Sequence, residues 1–144
     1  MKKIALGLIL TMLLMGCSGD DDGNEASSCG TVCSVPLRNG ENPGTPHPDI
    51  VGTYTLTYHL RNPDGPFSDG ATATAELTSD NKLIFNYDGR CVTAENPFQT
   101  SPQEVNFRDN CVFNVLFAAS AVNGGLNEIN IASLDREFYG QFKE

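Results

Sequence analysis

The sequence predicts an all-β domain: an antiparallel meander of about seven strands, rolled into a small barrel or a two-layered sheet and carried on a disordered tether. Three observations predict it. Apolar and polar residues alternate with a period of two almost throughout the chain after Ile50, and no stretch shows a convincing period of 3.6. Short loops rich in Asp, Asn and Gly fall where they bring apolar residues opposite apolar residues.

Tyr54, Leu56, Tyr58 and Leu60 alternate with Thr53, Thr55, Thr57 and His59, and Ala71, Ala73, Ala75 and Leu77 alternate with Thr72, Thr74 and Glu76. Leu83, Phe85 and Tyr87 form the next apolar face, followed by Val105 and Phe107, then Cys111, Phe113, Val115 and Phe117. Ile129 and Ile131, and finally Phe138 and Phe142, complete the set. Register is testable because a slip of one residue turns every core side chain to solvent. A three-residue loop at Ser79-Asp80-Asn81, with Asn in the left-handed conformation it tolerates, sets Leu77 against Leu83 and Ala75 against Phe85. The same loop length at Arg108-Asp109-Asn110 sets Phe107 against Cys111 and Val105 against Phe113. At Asn123-Gly124-Gly125 it sets Ala119 against Ile129 and Phe117 against Ile131. A two-residue loop, Leu134-Asp135, brings Ile131 opposite Phe138.

The N-terminus has a different organisation. Lys2 and Lys3 precede an apolar run from Ile4 to Met15, too short for the roughly twenty residues that span a bilayer but right for a secretory signal over residues 1–16. Leu14-Met15-Gly16-Cys17 resembles the lipobox of bacterial lipoproteins, with Met15 in place of the usual small residue. Ser18-Gly19-Asp20-Asp21-Asp22 is similar to the serine-plus-acidic export signal of surface-exposed lipoproteins in Bacteroidota. The resemblance covers residues 1–25 and implies acylation at Cys17, an outer-membrane location with cell-surface exposure, and a membrane partner reached through the lipid. It implies nothing about fold or activity.

Removal of residues 1–16 leaves 7 basic against 18 acidic residues, a net charge of −11. That excludes nucleic acid, which needs clustered Lys and Arg, and any electrostatic second hold on the membrane. Residues 17–49 are rich in Pro, Gly and Asp, with few apolar side chains to offset conformational entropy, and read as a flexible tether of roughly 30 Å root-mean-square reach. Residues 50–144 are then the β domain.

Four cysteines remain, an even set that reads as disulfides in an exported chain. Pairing Cys29 with Cys33 and Cys91 with Cys111 is the favoured connectivity. The Cys29–Cys33 spacing matches neither a redox nor a zinc motif, so no metal is expected. One detail conflicts with the favoured pairing. A strand at 104–107 would put Cys91 and Cys111 about 9 to 10 Å apart, beyond the ~7 Å a disulfide allows. Either that strand does not intervene at the level of Cys91, or the sheet folds over, or these two pair with Cys29 and Cys33.

No catalytic constellation is present. His47 lies in the tether between two prolines, His59 on the solvent face of the first strand, and neither a nucleophile elbow, a zinc-protease motif nor a phosphate loop occurs. Asp20–Glu25 fails the calcium-loop pattern, and no cofactor or enzyme activity is expected. Gly52-Thr53-Tyr54 resembles the Gly-x-Trp start of lipocalin-like barrels, over three residues, and that resemblance implies a small apolar ligand. The expected function is a lipid-anchored binding module for a protein, glycan or small apolar ligand. The other class is an accessory subunit packed on an outer-membrane complex with no ligand of its own. Counting strand directions places the linkers 61–70, 95–103 and 123–125 together at the end away from the tether. The loops at Asp80, Asp109 and Asp135 fall beside the tether. Asn62-Pro63 precedes Phe67 and Asn96-Pro97 precedes Phe98, so Phe67 and Phe98 are candidate anchors, with Asp64, Asp69 and Glu95 as a polar rim. The alternative is that both rings plug the core.

Overall fold

The computed structural model describes residues 29–60 and 65–144. These form eleven strands: β1 (Val32–Ser34), β2 (Asn42–Pro43), β3 (Gly52–Leu60), β4 (Thr72–Leu77), β5 (Leu83–Tyr87), β6 (Arg90–Glu95), β7 (Phe98–Ser101), β8 (Glu104–Asp109), β9 (Val115–Val122), β10 (Gly125–Ser133) and β11 (Tyr139–Lys143). A 3-10 turn, Pro48–Ile50, leads into β3. All belong to one curled, barrel-like sheet in the order β1-β6-β5-β4-β3-β11-β10-β9-β8-β7-β2. The all-β class agrees with the alternation. The strand number exceeds the expected seven, and the sheet is mixed because β1 runs parallel to β6.

Four strands account for the difference. β6 follows Asp88-Gly89, whose φ angles of 49° and 71° are those a two-residue type I′ hairpin demands. The chain then turns at Asn96 (φ 55°), so that β6, paired with β5, continues into β7, paired with β8. β1 and β2 have three and two residues, too few to show a period. Counting β6 has a topological consequence. Eight alternating strands, β3 to β6 and β8 to β11, bring the first and last antiparallel, and β3 pairs with β11 from Leu60↔Gly140 to Thr57↔Lys143. A seven-stranded meander would have left them parallel.

The registers divide in two. Leu77↔Leu83 and Ala75↔Phe85 are as expected, with Asn81 at φ 67°. Ala119↔Ile129 and Phe117↔Ile131 also hold, but by other means: a two-residue Asn123-Gly124 turn, then a bulge between Leu126 and Glu128 that restores the count. The other two hairpins are wider than expected. Phe107 pairs with Phe117, because the Asp109 carboxylate accepts from the backbone N–H groups of Cys111, Val112 and Phe113 and stabilises a five-residue loop. Ile131 pairs with Gly140, because Ser133 Oγ accepts from the N–H groups of Glu137 and Phe138. Both displacements are even, six residues and two, so the inward faces are unchanged.

The core is aromatic. Phe67 descends from the β3–β4 connection into its centre, its ring centroid 5.0 to 6.3 Å from those of Tyr58, Phe85, Tyr87, Phe113, Phe138 and Phe142. The interior that a lipocalin-like ligand would need is filled there by side chains.

Residues 29–49, expected in the tether, belong to the folded body. The disulfides are Cys29–Cys91 and Cys33–Cys111, with Cα separations of 5.4 and 5.9 Å, in place of the favoured local pairing. Since β1 lies along β6 and touches β8, Cys33 within it meets Cys111, and Cys29 just before it meets Cys91. The segment 29–34 thus ties β6, through Cys91, and the loop after β8, through Cys111, to one short stretch of chain.

Candidate functional site

The unforeseen β6 also redistributes the loops, since one added strand inverts the direction of all that follow. One end of the barrel carries the 79–81 turn, residues 95–97 and the Asn123-Gly124 turn, which lies by Asp49 at the start of β3. The other carries 65–70, the Asp88-Gly89 turn, the 110–114 loop and the 134–137 turn. The expected grouping of 61–70 with 95–103 and 123–125 is therefore corrected, and so is that of the Asp80 loop with those at Asp109 and Asp135.

The predicted site residues are dispersed accordingly. Cys17 and Asp64 lie outside the described residues. Phe67 is 4% exposed and Phe98 8%, so neither ring is an exposed anchor. Phe67 is the core plug just described. Phe98 packs on the outer surface beneath the Arg108 guanidinium, 4.1 Å from its ring centroid, outside the main core cluster. Asp69 is exposed at the Phe67 end, and Glu95 stands half-buried at the opposite one.

Around Glu95 a groove of about 440 Å³ opens, lined by Leu37, Pro43, Gly44, Asp80, Asn81, Lys82, Asn96 and Pro97. Its size lies within the range typical of small-ligand sites. Local turn chemistry positions its charges. Thr78 exchanges hydrogen bonds with Lys82 across the turn, and the left-handed Asn81 closes it, which projects Lys82 over the groove. Lys82 Nζ stands 2.9 Å from Asp80 Oδ2 and 3.7 Å from Glu95 Oε1. The Asp80 hydrogen bond holds the Lys82 ammonium above its ordinary pKa, while Thr78 and then Lys82 hold Asp80 below its own. Asn96 donates to Ser34 Oγ at 2.8 Å. The wall formed by residues 43–44 depends on Gly44, whose N–H donates to Pro97 O at 2.8 Å and where a Cβ would stand 2.8 Å from the Phe98 carbonyl carbon. The Asn81 Oδ1 atom is buried with no hydrogen-bond partner among the described residues, an acceptor that a hydroxyl donor would satisfy.

Of these residues only Glu95 was among the sequence candidates. The signal that could have found the others is Asp88-Gly89: once it is counted as a hairpin, Ala94 falls opposite Leu83 and Glu95, the next residue, beside the Asp80 turn. Among the described residues the close group with metal-donor atoms is Cys33, Asp109 and Cys111, but its sulfurs are joined in a disulfide and its carboxylate accepts three backbone N–H groups. It builds a loop. No helix among the described residues is long and apolar enough to cross a membrane. No protein-family model, curated protein or solved structure shows significant similarity to the chain.

Proposed function

We propose that this chain is a lipid-anchored outer-membrane protein, acylated at Cys17 and displayed at the cell surface, whose β domain is a non-catalytic module that binds a glycan in the groove around Lys82 and Glu95. The observation that carries the reading is where the groove sits. The chain runs along β6 from Cys29, bonded to Cys91 beside the Asp88-Gly89 turn, through β1 to Ser34 beside Glu95. The chain toward Cys17 thus departs at the far end from the groove. Eleven residues separate Cys17 from Cys29 and span at most about 40 Å, so anchoring holds that end toward the membrane and turns the groove outward.

The chemistry of the lining suits a hydroxyl-rich ligand. Asp80, Glu95 and Asn81 accept hydrogen bonds, Lys82 donates them, Asn96 does both, and Leu37, Pro43 and Pro97 offer apolar surface to the C–H faces of a sugar. Screening the purified protein on immobilised glycans, followed by calorimetry with the best binder, tests the reading. Lys82→Met and Glu95→Gln should each weaken binding about tenfold, or 1.4 kcal/mol, without moving the melting temperature. A wild-type protein that binds no glycan, or variants that bind as tightly as wild type, would refute it. The anchor has its own test: Cys17→Ala should move the protein from the membrane to the soluble fraction.

A further inference from the structure

A second concavity lies on the outer face of the sheet, separated from the groove by residues 37–38 and 97–98, of which Leu37 and Pro97 line the groove and Arg38 and Phe98 the cleft. Strand alternation turns Arg108 and its neighbours Leu116 and Ala132 outward side by side. Arg136 follows in the β10–β11 turn, and the segment joining β1 to β2 crosses above and contributes Arg38. Together with Phe98 and Leu134 these residues enclose a cleft of about 290 Å³. It gathers three of the five arginines of a chain whose net charge is −9.

The three guanidinium groups are not equivalent. Arg108 is 6% exposed and already neutralised: Glu41 accepts from both its terminal nitrogens, one contact at 3.0 Å and the other shorter, and its plane covers Phe98. Arg38 and Arg136 are exposed, and the ion pairs of the described residues include neither. Arg136 is held in place by its backbone, in the left-handed region at φ 69° with its N–H donating to Ser133 O at 3.0 Å. The neighbouring Asp135 carboxylate accepts from Glu137 N–H within the turn. Arg38 is also tied to the Glu41 carboxylate through its backbone, its N–H donating to Glu41 Oε2 at 2.7 Å, and its charge helps hold the Glu41 carboxyl below its ordinary pKa. The cleft therefore presents two exposed guanidinium groups over an apolar floor, with a third arginine behind them fixed by Glu41.

We propose that this cleft binds a phosphate monoester, gripped between Arg38 and Arg136, with the carbon body of the ester on Leu116 and Leu134. A guanidinium fork matches phosphate oxygens in pairs, and two forks match a group that carries close to two negative charges near neutral pH. One carboxylate would leave a guanidinium without a partner. The cleft lies toward the barrel end from which residue 29 leads back to Cys17, so the ester has two sources with the same chemistry, a lipid headgroup or a soluble metabolite.

The test uses the full-length protein and glycerol 3-phosphate, followed by calorimetry at constant ionic strength. Arg38→Gln combined with Arg136→Gln should weaken binding at least tenfold with an unchanged melting temperature. Lys143→Gln, which removes a charge elsewhere on the surface, should leave binding unaltered. The Cys17→Ala form, incubated with phosphatidylcholine vesicles with and without phosphatidic acid, identifies the source. Retention on phosphatidic acid that the double variant abolishes assigns the headgroup, whereas binding of glycerol 3-phosphate alone assigns a soluble ester. Binding of neither probe overturns the proposal, as does acetate held as tightly as glycerol 3-phosphate, or a double variant that binds like wild type.

Discussion

The two halves of the curled sheet, β3 to β6 and β8 to β11, meet along two seams, and the two are closed by different means. Along one, β3 and β11 form an ordinary antiparallel ladder. Along the other, β6 and β8 approach without pairing, and β1, hydrogen-bonded to β6, faces β8 in contact with it. Two disulfides cross or flank this second seam, and Arg90 adds to it by donating to Val112 O and stacking 4.7 Å over Phe113. The difference follows from the path of the chain. A ladder needs two strands that stay parallel in space, and β6 leaves its neighbours at Asn96 to become β7, so its first half has no strand to pair with on that side. Covalent links need only local proximity, which the Asp109-capped loop supplies by carrying Cys111 to Cys33.

Phe67 touches both seams, Tyr58 and Phe142 at the ladder and Phe113 at the disulfides. Phe67→Ala should therefore have the largest effect, a loss of up to about 5 kcal/mol in thermal or urea unfolding. A loss under 1 kcal/mol would show that the ring is not a shared plug. Opening the covalent seam alone with Cys33→Ser and Cys111→Ser removes a link across a sequence separation of 78 residues. Chain-entropy arithmetic puts that at about 4 kcal/mol, a fall in melting temperature of some 15 °C or more. If the fall were only a few degrees, the noncovalent contacts of β1 would be holding the seam.

The ladder seam is probed at Gly140, where a Cβ would collide with the Tyr58 ring and hydroxyl. Gly140→Ala should cost about 1–3 kcal/mol, and a simultaneous Tyr58→Leu should recover part of it, so that a double-mutant cycle reports the collision. Strictly additive effects would place the cause elsewhere.

The smallest effect concerns the segment that bridges the two halves over the outer face. The Arg108 hydrogen bonds hold the Glu41 carboxyl below its ordinary pKa of 4.5. Because the folded-state value is depressed, the stability it contributes is complete above the ordinary value and is lost as pH falls through the depressed one. Urea midpoints between about pH 5 and pH 2 should decline more steeply in wild type than in Glu41→Gln. Identical slopes would mean that the pair contributes nothing.

Parts of this were legible in the chain. The inward faces were, because a period of two is a property of neighbouring residues, and it survived even where Phe107 and Ile131 found other partners. The Asn81 turn was legible for the same local reason, whereas at 123–125 the expected loop was one residue too long and the Leu126/Glu128 bulge restored the register. Asp88-Gly89 was equally explicit, and overlooking it inverted every later strand direction and placed Glu95 at the wrong end. Of the candidate residues only Glu95 lines the groove, because the groove is assembled from the 79–82 turn, residues 95–97 and the 37–44 segment, which share no local pattern.

By itself, then, the sequence determined the β class, the core faces and two hairpin registers, since each depends on contacts between residues close along the chain. Tertiary structure alone decided the disulfide partners, the end at which each loop gathers and the two concavities on the surface. Those depend on which strand fills the gap left where β6 departs, and a three-residue β1 carries no periodicity to announce that it will be the one. The gap exists only after the sheet has curled, so the residues that line it, and the arginines brought together outside it, become neighbours only in the folded molecule.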